Sequence, residues 1–344
     1  MLIYLPRGPL LQNASHENSI IATLRSHLPL TIVQLNYRLS KDHVYPQPIH
    51  DVLAGYDWVK EHLLAKRAIS RAGRSQHVGR IGVCGELIGG GLATMLALTE
   101  CRIGEAGITA AAVSNPVVDW SGVDGEDRGV TVSDTDMAGR LETLRGLLFQ
   151  KPGHYFDPFA SPSLFFRSAG KDVPRANSNA PADDLEHLAF LDREDFFRQQ
   201  LVLNALSHKY TNAEADDEDL PDEKPRRKTA RRYPSASLGL KVPPFHISAG
   251  SMPPFEDQAG EFAHLLRKSF LRQAQASNFG RKVLSPAEIA KLDDDERLEQ
   301  QAQVAKAYSK AQLEEYDGFG LWNDSRHGVK RVQEAAMWLK EKLT

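Results

Sequence analysis

The feature that most constrains this chain is an alternation, up to Ser114, of short apolar runs with longer segments of helical periodicity. Leu2–Leu5, Thr31–Leu35, Arg80–Cys84 and Thr109–Ser114 read as strands, and Asn18–His27, Ile49–Leu64 and Gly89–Thr99 as helices between them. In the second helix Ile49, Val52, Leu53, Tyr56, Val59 and Leu63 recur at helical spacing. Apolar strands separated by helices cannot pair as hairpins. Each connection must cross over, which makes the strands parallel and puts helices on both faces. The expected fold class is α/β, a doubly wound and mostly parallel sheet.

After Trp120 the regularity fails, and segments with their own helical periodicity, Ala138–Phe149 and Asp183–Leu206, alternate with Pro-, Gly- and Asp-rich stretches. The sheet pattern then resumes with a strand at Phe245–Ala249, a helix at Ala259–Arg272, a polar helix at Pro286–Ala307, a strand at Gln312–Tyr316 and a helix at Val329–Leu343. The expected organisation is a core of two parts, 1–120 and 241–344, with a helical cap inserted at 121–240 and a smaller insertion at about 273–310. Within the cap, 213–232 carries an acidic run followed by a basic one. So charged and so poorly apolar a segment cannot offset its ordering entropy and is expected to be disordered.

Composition narrows the function classes. With 344 residues, 41% of them hydrophobic, the chain can bury a large core. A net charge of −3 creates no global basic field, so neither nucleic acid nor a membrane surface is an expected partner. No run approaches a membrane span, Met1–Leu5 is not built like a signal peptide, and the two cysteines, Cys84 and Cys101, cannot make a disulfide scaffold. These features predict a cytoplasmic protein, with a nuclear alternative through the basic run 224–232. No His/Cys/Asp cluster has metal-ligand spacing, and Gly89-Gly90-Gly91 follows Glu86, which would repel a phosphate; no metal and no cofactor are expected.

Four stretches, in order, carry a family resemblance. They are Asn36-Tyr37-Arg38-Leu39 with Tyr45-Pro46 and Asp51-Val52-Leu53-Ala54; Gly85-Glu86-Leu87-Ile88-Gly89-Gly90-Gly91; Asp157-Pro158-Phe159-Ala160-Ser161-Pro162; and Tyr316-Asp317-Gly318 with His327-Gly328. Together they resemble the α/β-hydrolases of the hormone-sensitive-lipase-like esterase group, the fold-3 type. The resemblance implies an α/β-hydrolase fold and an esterase or lipase ancestry. It also implies further strands ahead of Leu2–Leu5, so the expectation is either a sheet without its leading edge or an incomplete gene model.

The resemblance also implies a Ser–His–Asp triad with an oxyanion loop, and here the residues depart from it. The turn Gly85-x-x-x-Gly89 keeps both glycines, but its centre, where the nucleophile belongs, is Leu87. Leucine has no lone pair or ionisable proton and cannot form an acyl-enzyme. The acid position falls on Pro253, with Asp257 either a displaced acid or a solvated carboxylate at a helix start. The oxyanion loop falls on Pro6-Arg7-Gly8-Pro9, whose prolines have no N–H to donate. Only His327 holds its implied place. The binding positions implied are Gly8, Gly85, Leu87 and Gly89. Cys84 lies early, in a strand, and reads as a core thiol rather than a nucleophile. Glu86 reads as a carboxylate favoured by a helix N-terminus. Phe156, Phe159, Phe165, Phe166, Phe190, Phe196 and Phe197 either line a pocket or pack the cap.

Three functions follow as expectations: a non-catalytic pseudohydrolase that binds a small apolar or ester-like ligand or a protein; an active hydrolase of small carboxylic esters with a rebuilt site; and a scaffold recruiting a protein partner through the cap or 213–232.

Overall fold

A computed structural model describes residues 1–9, 14–64, 79–121, 123, 137–167, 233–252, 254–276 and 294–344. The expected helix at 183–206, the charged segment 213–232, Phe190, Phe196, Phe197 and Pro253 lie outside them.

Six strands form one parallel sheet. They are β1 (Leu2–Leu5), β2 (Ile32–Gln34), β3 (Arg80–Glu86), β4 (Gly107–Ser114), β5 (Phe245–Gly250) and β6 (Ala311–Tyr316), in the spatial order β2-β1-β3-β4-β5-β6. Every pairing is parallel. The helices are α1 (Ala14–His27), α2 (Gln47–His62), α3 (Leu87–Thr99), α4 (Met137–Leu148), α5 (Pro152–Tyr155), α6 (Phe255–Ala276), α7 (Asp294–Lys310) and α8 (Arg326–Leu343).

Alternate strand residues enter two cores, as the two-residue period of a strand requires. Leu2, Tyr4, Cys84, Ala110 and Ala112 meet Ile20 and Leu24 of α1 and Val332 and Leu339 of α8. On the other face Ile3, Leu5, Ile81, Val83 and Val113 meet Val52 and Val59 of α2, Leu96 of α3 and Phe262 of α6. Each fully buried Leu, Ile, Val or Phe side chain contributes about 1.5–3 kcal/mol. A helix that is apolar all round must be covered all round. That describes α3, in which every residue from Leu87 to Leu98 is buried.

Arg38 shows why the Tyr-Arg-Leu stretch matters to this architecture. Its Nε and Nη2 donate to the two oxygens of Asp51 at 2.9 and 2.6 Å, its backbone N–H donates at 2.9 Å, and Gln47 adds a fourth bond to the same carboxylate at 2.8 Å. The guanidinium holds the Asp51 carboxyl well below the usual carboxylate range. This fork fixes the connection after β2 onto α2. Tyr45 then donates to Asp157 at 2.6 Å, tying that connection to the segment after α5.

Candidate functional site

The turn between β3 and α3 keeps the backbone of a strand-to-helix elbow. Leu87 has φ 54°, the left-handed region that an L side chain occupies at a cost of about 1–2 kcal/mol. The flanking glycines make the conformation sterically feasible. A Cβ on Gly89 would stand 2.2 Å from the Pro6 carbonyl oxygen and 2.4 Å from that of Leu5, and one on Gly85 would stand 2.6 Å from the Gly89 oxygen. The Leu87 side chain is 0% exposed and belongs to the main apolar core. Across the elbow, Gly8 sits at φ +76°, and a Cβ there would meet the Tyr37 hydroxyl at 3.0 Å, with Leu39 and Ile88 also close. Tyr37 donates to the Pro6 carbonyl at 2.6 Å. Gly8, Gly85, Leu87 and Gly89 are thus brought together, around apolar packing.

The other implied residues lie at helix starts. Asp257 is exposed on the first turn of α6 and His327 is exposed on the first turn of α8; neither has a hydrogen-bond or ion-pair partner among the described residues. His327 was expected in a loop, with the last helix starting at Val329. The helix starts earlier because the Ser325 hydroxyl caps it, accepting from the Gly328 N–H at 3.0 Å. What the loops after β5 and β6 do share is backbone contact. Asn115, at φ 44°, accepts from the Gly250 N–H and donates to the Phe319 carbonyl, each at 2.8 Å. A Cβ on Gly250 would stand 2.3 Å from the Gly318 oxygen, and one on Gly320 would stand 2.7 Å from the Gly250 nitrogen.

A family model described as the alpha/beta hydrolase fold matches residues 8–187, more than half of the chain. The chain belongs to this family, in its fold-3 branch of esterases and lipases. No curated protein matches it. Among solved structures it is similar to a hyperthermophilic esterase from the archaeon Pyrobaculum calidifontis, at 16% identity and TM-score 0.52, over 99% of this chain and 74% of that one. Carboxyl esterase 2 of the mycorrhizal fungus Tuber melanosporum gives 12% identity and TM-score 0.53, over 100% and 78% of the two chains. A thermostable esterase from Pseudomonas putida gives 13% and 0.52, over 100% and 74%. Identities this low establish a shared fold.

Within this α/β-hydrolase the polar chemistry lies beneath the elbow, where sequence reasoning did not place it. The Glu86 carboxylate provides no side-chain cap to α3. Instead it accepts from the Trp322 N–H at 2.6 Å and stands 2.8 Å from Arg7 Nη2. Arg7 Nη2 also donates to the Trp322 carbonyl at 2.7 Å, and its backbone N–H donates to Glu17 at 3.3 Å. Glu17 in turn accepts from the Tyr4 hydroxyl. A signal existed: Arg7 and Glu86 are opposite charges closely following or ending two apolar strands, β1 and β3, that proved to be neighbours. Desolvation pushes the Glu86 carboxyl up to about 7 despite the nearby Arg7 charge.

The remaining candidates resolve as packing. Cys84 is wholly buried on the α1/α8 face and burial pushes its thiol far above the ordinary range; Cys101 is pushed up to about 12. Phe165 and Phe166 pack on Tyr233 with ring centroids 4.8 and 5.4 Å away, whereas Phe156 and Phe159 remain exposed. Among the described residues no group of three or more His, Cys, Asp or Glu could hold a metal ion, and no helix is long and apolar enough to cross a membrane.

Proposed function

We propose that this α/β-hydrolase-family protein is a non-catalytic relative of carboxylesterases and lipases that acts by binding a ligand or a protein. The observation that carries the reading is Leu87, an unreactive side chain sealed in the core at the strained centre of the elbow. A serine hydrolase that loses its nucleophile loses on the order of 10⁶ in turnover. Arg7 supports the same reading, because its N–H turns inward to Glu17 instead of outward to a developing oxyanion. With Tyr37, Leu39 and Ile88 filling the space around Gly8 and Leu87 buried in the core, binding through the surface outside the elbow is the version the geometry favours.

The test is chemical. The purified protein should hydrolyse p-nitrophenyl acetate and butyrate no faster than buffer, and a fluorophosphonate probe should leave it unlabelled. Labelling that disappears on substituting one Ser or Cys would overturn the reading in favour of an active hydrolase with a rebuilt site. Deleting 213–232 and repeating a pull-down separates partner binding through that segment from binding elsewhere.

A further inference from the structure

Arg7, Glu17 and Glu86 bring one guanidinium and two carboxylates together in a buried cluster: Arg7 is 1% exposed, Glu86 0% and Glu17 9%. Fully ionised, the cluster carries one net negative charge. A buried net charge costs several kcal/mol, so one carboxylate is driven to take a proton. The contacts say which. Glu17 accepts from the Tyr4 hydroxyl and from the Arg7 N–H, with Arg7 Nε 3.4 Å away. One oxygen of Glu86 accepts from Trp322, but the other, although 2.8 Å from Arg7 Nη2, has no aligned hydrogen bond. Glu86 is the carboxylate less well held as an anion.

The cluster touches three loops at once. Arg7 lies on the loop after β1, Glu86 ends β3 at the elbow, and Trp322 lies on the loop between β6 and α8. We propose that Glu86 is the proton-binding member of a pH-operated latch that holds the segment 318–325 against the elbow. Protonation of its carboxylate from solvent leaves the neutral Arg7–Glu17 pair and no net charge; release of the proton restores the buried negative charge. Other groups facing the cluster are Tyr4 on β1, Cys84 on β3, His16 on α1 at 3.5 Å from Arg7 Nη1, and Arg331 on α8. Asp324 reaches His16 at 3.7 Å. Arg331 and Arg7 favour the Glu86 anion, Glu17 opposes it, and desolvation outweighs them all.

The sign follows from linkage. When the segment opens, Glu86 meets water and titrates near 4.5; when closed it holds its proton up to about 7. Between these values the closed state loses its advantage as pH rises, by on the order of 100-fold in the opening equilibrium.

Amide hydrogen exchange tests this on the whole protein. Corrected for intrinsic exchange, protection of the Trp322 N–H and its neighbours should fall on the order of 100-fold from pH 5 to pH 8 in the wild type, and stay flat in Glu86→Gln. Flat protection in the wild type, or an equal fall in the variant, overturns the latch. Should Glu86→Gln not fold, carbon-13 NMR of labelled glutamate carboxyls in the wild type decides. A buried glutamate titrating near pH 7 supports the latch, and none titrating above pH 6 overturns it.

Discussion

The elbow after β3 and the helix starts that follow β5 and β6 are where the family resemblance implies site residues, yet they are built in opposite ways. At the elbow the backbone survives, with Leu87 at φ 54° and two glycines that admit no Cβ, while the side chain is apolar and sealed. On the helices that follow β5 and β6 the side chains of Asp257 and His327 are polar, but both are exposed and stand without partners among the described residues. The difference teaches that backbone geometry and reactive groups are held by separate forces. The elbow is fixed by close packing between β1, β3 and α3, which requires no reactive side chain. A charged side chain on the first turn of a helix is fixed by nothing except its own partner.

The comparison can be broken most severely at Gly89. Gly89→Ala puts a methyl against two backbone carbonyls that have no side chain to move aside, and urea denaturation should show a loss of more than about 4 kcal/mol or no folded protein. A variant within about 1 kcal/mol of wild type would mean that the elbow is not closely packed. Next in size is pH. The folded-state value of Glu86, about 7, lies above its ordinary 4.5. Its contribution is therefore full below pH 4.5 and lost as pH rises through 7. Urea midpoints should report about 3 kcal/mol less stability at pH 8 than at pH 5 from this group, and Glu86→Gln should remove that slope.

Leu87→Ser sharpens the comparison at the elbow itself. It removes buried apolar volume and should cost about 2–3 kcal/mol by thermal or urea melts, while ester turnover stays at the buffer rate, since neither His327 nor Asp257 has a hydrogen-bond or ion-pair partner among the described residues. Rescue of hydrolysis by this one change would show that His327 and Asp257 are still organised for catalysis. The smallest effects belong to those two residues. His327→Ala and Asp257→Asn should each change stability by no more than about 0.5 kcal/mol, and calorimetry showing more would reveal partners that their exposure conceals.

The α/β architecture was legible because it rests on local periodicity. Five of the six strands fall at the expected apolar runs and the sixth, Ala311–Tyr316, at a mostly polar stretch expected as the last strand, and α3 follows Glu86 as the elbow resemblance implied. That the centre of the elbow carries Leu87 could also be read directly, being a matter of residue type at one position. The Arg7–Glu86–Trp322 contacts could not. They join three segments distant along the chain, and they bury charges that composition alone would place in water. His327 was misplaced for a smaller reason: Gly328 reads as a loop residue until the Ser325 cap shows that it is the third residue of a helix.

The contact between Gly250 and residues 318–320 is backbone against backbone, with no side chain whose rotamer could absorb a change. The two loops therefore share a single set of allowed paths, and lengthening or stiffening one displaces the other. Trp322 follows directly along that second loop, with its N–H on Glu86. A substitution just after β5 is therefore felt first at residues 318–320, two residues along the chain from the Trp322 N–H that meets Glu86.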